Sequence, residues 1–118
     1  MHHSHNTVKT KDVIGYKVKN NKKEHLGKVE EIMLDKVSGH AHYVVLSFGE
    51  ILGMGGKFFA IPWGSLHFDP ADDCFLLNVS KEKLEKAPGF DKDHWPDFAD
   101  QTWGETIHTF YDTKPYWK

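Results

Sequence analysis

Apolar positions alternate in short runs up to about residue 80 and then take a helical spacing, so the pattern predicts a β module followed by a helical tail. Ile14, Tyr16 and Val18 alternate with Gly15, Lys17 and Lys19, the period of a half-buried strand starting near Asp12. A polar, lysine-rich connection over residues 20–25 leads to Leu26-Gly27 and a second strand. Val29 is out of step with Ile32 and Leu34, and Glu30-Glu31 lies at the break; a β-bulge there would turn both apolar sets inward. Asp35-Lys36-Val37-Ser38-Gly39 reads as a hairpin turn, with Gly39 supplying positive φ. The next strand is apolar on both faces, Val44, Leu46 and Phe48 on one and Tyr43 and Val45 on the other, and so is expected at the centre of the sheet. Phe59, Ile61 and Trp63 alternate again, with Pro62 marking a strand end or edge. Leu66 and Phe68 are expected to face the core, residues 70–73 to turn, and Phe75, Leu77 and Val79 to finish the sheet.

Ser80 then caps a short helix over residues 81–86, with Glu82 and Lys86 paired one turn apart and Pro88-Gly89 as its stop. Beyond it, Asp93 is read as the cap of a single turn and Thr102 with Glu105 as a capping box. Trp103, Ile107, Phe110 and Tyr111 follow on one apolar helix face, and Tyr116 and Trp117 come after Pro115. Together with Trp95 these are too many large apolar groups to leave in water on a monomer. Trp95, Trp103, Ile107, Phe110, Tyr111, Tyr116 and Trp117 are therefore the candidate interaction residues, packing back on their own sheet or docking on a second subunit. The division expected is a flexible N-terminus over 1–10, a β domain over 11–80 and a helical, aromatic-rich extension over 81–118.

The 118 residues suffice for one domain with its own core. Net charge is −2, and all fifteen basic residues are Lys, so neither a basic excess nor an arginine fork is present to read phosphate or base edges. Nucleic-acid binding is not expected. Cys74 is the only cysteine, which excludes an intrachain disulfide, and no apolar run approaches the roughly 20 residues of a membrane span. A cytoplasmic protein without membrane insertion is expected.

Candidate chemistry is sparse. His2, His3 and His5 crowd the N-terminus, and His40 and His42 share a strand face without an identifiable third ligand, so no metal site is assigned. Gly55-Gly56-Lys57 lacks the Ser or Thr, the earlier Gly and the following helix of a phosphate-binding loop. Ser65, His67 and Asp69 alternate along one expected strand, so they would project side by side rather than form a converging relay. Cys74 has nothing nearby in sequence to activate it. No catalytic residue and no cofactor are expected.

Val13-Ile14-Gly15-Tyr16-Lys17-Val18, Leu26-Gly27-Lys28-Val29, Ile32-Met33-Leu34-Asp35 with Ser38-Gly39, Tyr43-Val44-Val45-Leu46 and Ala60-Ile61-Pro62-Trp63 together resemble the PRC-barrel family over roughly residues 10–79. This is the β-barrel of the photosynthetic reaction-centre H subunit, also found in ribosome-maturation factors. The tail, with Trp95-Pro96-Asp97, Trp103-Gly104-Glu105 and Pro115-Tyr116-Trp117, is similar to extensions on small stand-alone bacterial members. The resemblance implies a mainly β fold, a small six-stranded barrel with short peripheral C-terminal helices, and a non-catalytic role in assembly. The expected partners are the chain itself, as a homodimer, and another protein. A small-molecule or metal-binding barrel using His40, His42 or His67, acting as a cytosolic sensor or stress protein, is the alternative.

Overall fold

Alternating apolar residues give the chain a mainly β architecture. The computed structural model describes residues 7–48 and 57–118. The histidines at positions 2, 3 and 5, most of the expected flexible N-terminus and the glycine-rich stretch between the third and fourth strands lie outside these residues.

A helical turn, α1 (Thr10–Val13), precedes strands β1 (Lys17–Lys19), β2 (His25–Leu34), β3 (Ala41–Ser47) and β4 (Lys57–Pro62). A 3-10 turn at Trp63–Ser65 leads to β5 (Leu66–Asp69) and β6 (Cys74–Leu77), followed by helix α2 (Lys81–Glu85), the two-residue β7 (Phe90–Asp91) and helix α3 (Gln101–Phe110). All seven strands form one sheet in the order β5-β6-β1-β2-β3-β4-β7. Every pairing is antiparallel except β1 with β6, where Val18 lies opposite Phe75.

The six strands expected become seven, because Phe90–Asp91 pairs with Lys57 and Phe58 at the free edge of β4. No ladder joins β4 to β5 among the described residues, so the sheet is open rather than a hydrogen-bonded barrel. It is nevertheless strongly curled. In the strand order β4 and β5 are five spacings apart, about 24 Å if the sheet were flat. The Trp63–Ser65 link carries the chain directly from one to the other and can reach about 14 Å.

The central position of β3 is borne out: Tyr43, Val44, Val45 and Leu46 are all buried. So is the bulge in β2, where the register against β3 shifts between Val29 and Glu31. It does not bring both apolar sets inward, since Leu34 is half-exposed. The turn after β2 forms as expected, with Gly39 at φ 80° and the Asp35 carboxylate accepting from the amides of Val37 and Ser38. At Gly27, φ is 151° and an added Cβ would lie 2.2 Å from the Ser47 carbonyl oxygen, so only glycine lets β2 approach β3 there.

Two other expectations change. The first strand is shorter than the alternation suggests, because residues 10–13 coil and Gly15 takes φ 97°, leaving Ile14 exposed. Phe68 is exposed rather than core-facing, since β5 is the edge of the curl. The core gathers Val18, Leu26, Val29, Val44, Leu46, Phe59 and Ile61 with Leu84 of α2 and Ile107 of α3. Ser80 caps α2 as expected, accepting from the Lys83 amide.

Candidate functional site

Helix α3 starts where it does because of Asp100. Its carboxylate accepts from the amides of Thr102 and Trp103, so Asp100, not Thr102, is the cap. Glu105 does not close a capping box; its carboxylate faces the Lys118 ammonium at 3.2 Å. The single turn expected at Asp93 is likewise absent, and residues 92–94 form a non-helical turn. There the Trp95 indole donates to the Lys92 carbonyl at 2.6 Å.

With α3 so placed, the tail aromatics close on Tyr43. The rings of Phe98, Trp103 and His108 each lie 5.5 Å from Tyr43, and that of Tyr116 lies 5.9 Å away. Ile107 and Tyr111 are buried, while Trp103, Phe110 and Trp117 are half-buried. Trp117 fits against Gly104, where an added Cβ would lie 2.8 Å from the indole. Ile107 and Tyr111 with Trp103 and Phe110 pack into or against the core, Tyr116 and Trp95 reach the strand residues His42 and Phe58, and Trp117 packs within the tail. Trp95 and Tyr116 nevertheless remain 40% and 45% exposed.

Two histidines flank Tyr116. His42 stacks on it at 3.5 Å with an interplanar angle of 19°, and His108 lies 5.8 Å away on the helix side. His108 is buried, and its Nδ1 donates to the Gly104 carbonyl at 2.7 Å, since a carbonyl can only accept. Desolvation is the largest influence on His42 and holds it below its ordinary value of 6.5; Asp35 opposes this, and His40 and His108 add to it. Burial raises the Tyr43 and Tyr111 hydroxyls above the usual phenol range, and neither has a hydrogen-bond partner among the described residues. The buried His108 was not singled out in the sequence; its one signal is its position beside Ile107 on a face otherwise read as aromatic.

A second aromatic cluster, also missed, occupies the β5 edge. Tyr16, Trp63, Phe68 and Phe75 come from separate segments, and successive ring centroids lie 5.5–6.1 Å apart. Trp63 is 40% and Phe68 44% exposed. Alternation alone assigns Phe68 to the core, because nothing local reveals that β5 is an edge.

The polar candidates do not converge. Ser65 lies in the 3-10 turn, with its hydroxyl buried and without a partner among the described residues; His67 is exposed on β5, and Asp69 faces Lys23. Asp69, Asp72 and Cys74 bring possible ligand atoms within 4.8 Å of one another. The Lys23 ammonium already sits among the carboxylates, 2.8 Å from Asp72 and 3.6 Å from Asp69, and lowers the Asp72 carboxyl below its usual range through that hydrogen bond. An ion-paired turn accounts for this cluster. No helix among the described residues is long and apolar enough to cross a membrane.

A curled, mainly antiparallel sheet with an aromatic cover defines the class: a small β domain with a helical extension. The family model for the PRC-barrel domain matches residues 5–84, and the chain belongs to that family. The match ends within α2, so β7, α3 and the aromatic tail lie beyond it. No curated protein matches the chain.

Proposed function

We propose that the protein is a non-catalytic interaction module of the PRC-barrel type, which self-associates as a homodimer and presents a further surface to another protein. The curled sheet is read as the family's barrel left unlaced between β4 and β5. The observation that carries the proposal is the exposed pair Trp63, 40% exposed in the 3-10 turn that leads into β5, and Phe68, 44% exposed on β5 itself, an edge strand whose outer backbone groups have no ladder partner among the described residues. Half-exposed aromatics beside an open sheet edge are suited to association by strand addition and ring packing. Family membership supports an assembly role over catalysis. The sensor alternative needs converging histidines, whereas His40 and His67 are exposed and His42 is stacked on Tyr116.

Light scattering tests the proposal. The full chain is expected at twice its 13.6 kDa mass, and Trp63→Ser with Phe68→Ser at the monomer mass with the fold retained. Trp95→Ser with Tyr116→Ser is expected to remain dimeric. A wild-type monomer across the micromolar range would sink the self-association reading.

A further inference from the structure

Residues 113–118 lie against the domain through ring contacts centred on Tyr116. Two residues after helix α3, Asp112 at φ 60° turns the chain back, with the Thr113 amide donating to the His108 carbonyl. Residues 113–118 then cross Tyr43: Tyr116 lies between His42 and His108, and Trp117 sits in the notch left by Gly104. The remaining polar link, Lys118 with Glu105, is more than half exposed on both sides and holds weakly.

We propose that residues 113–118 form an acid-released strap, held over Tyr43 while His42, stacked on Tyr116, is neutral and let go when His42 takes up a proton.

The charged and titratable groups facing this ring come from three elements. The turn after β2 supplies Asp35, β3 supplies His42 and Tyr43, and α3 supplies His108, while His40 acts on His42 rather than on the ring. Asp35 is the one carboxylate among them, and its Oδ1 already accepts from the amides of Val37 and Ser38. His42 and His108 contact the same ring at 3.5 and 5.8 Å, so they lie within about one Debye length (about 10 Å at 0.1 M salt) of each other. A cation on the Tyr116 face gains some attraction, but for one ring only. A protonated His42 must carry its charge partly out of water, and this disfavours the held strap.

The sign follows from His42. Its closed-state value lies below 6.5, and on release it returns towards that ordinary value. The strap is therefore fully held above about pH 6.5 and loosens as pH falls from there through the lower, closed-state value. Release would uncover Tyr43 and free the Trp117 indole, a surface separate from the β5 edge, so the inference does not depend on self-association.

NMR of the full chain between pH 8 and pH 5 tests it. The Trp117 indole and Tyr116 ring signals are expected to move to solvent-exposed positions with a midpoint below pH 6.5, while the β2 and β3 amides stay in place. In His42→Gln the strap signals are expected to hold still over the same range. Unchanged wild-type signals down to pH 5, or an equal change in His42→Gln, would overturn the proposal. The wild-type titration decides alone if the variant fails to fold.

Discussion

Gly104 is the residue at which helix α3 and the end of the chain meet. A methyl group there would lie 2.8 Å from the Trp117 indole and 3.1 Å from the Tyr43 hydroxyl. Two effects then oppose each other. Alanine stabilises a helix by about 0.5–1 kcal/mol relative to glycine, whereas the indole must leave its notch. Trp117 packs on Gly104, His108 and Tyr116, all within the tail, so it can move without disturbing the sheet. Gly104→Ala is therefore expected to keep the melting temperature within a few degrees while making tryptophan fluorescence more accessible to acrylamide. A large loss of stability with quenching unchanged would contradict this account. Glycine here serves the fit of one side chain, at some cost to the helix.

At the scale of the element, Asp100 and Glu105 separate two ways of starting α3. The Asp100 carboxylate accepts from two otherwise unpaired amides, and its loss should cost about 1 kcal/mol. Glu105 makes only an exposed ion pair with Lys118, so its loss should cost less than about 0.5 kcal/mol. Thermal melts of Asp100→Ala and Glu105→Ala should rank in that order; the reverse order would restore the capping box that the sequence suggests. Two good caps two residues apart look alike in one dimension, and only the position of Lys118 shows where Glu105 goes. Local signals of other kinds were legible. The phase break at Glu30-Glu31, the Asp35 turn, the doubly apolar β3 and the Ser80 cap all depend on neighbours in sequence and form as expected. The strand β7 was not, because two residues carry no period. Phe68 was not, because edge status belongs to the whole sheet. Of the candidate interaction residues, the sequence identified the apolar tail but could not say that most of it is used in holding the tail down.

For the whole molecule, this use of the tail bears on where the folding unit ends. Ending the chain after Gly89 removes β7, α3 and the strap, and uncovers Tyr43 and the Phe58 edge of β4. That shortened chain is expected to aggregate or to melt without a cooperative transition, not to yield a soluble monomer, as size-exclusion and thermal unfolding would check. A stable, cooperative fragment would mean that the tail contributes little to the fold.

The parallel pairing of β1 with β6 has a consequence during synthesis. Val18 finds its partner only when Phe75 appears, roughly 57 residues later in the chain. At about 5–20 residues per second, that is a delay of about 3–11 s. Throughout it β2 can pair with β1 on one side, while the other side of β1 faces the cell with nothing to bond to. Lys17 and Lys19 place charged side chains along that waiting strand, and charge on an unpaired strand disfavours pairing with a neighbouring nascent chain.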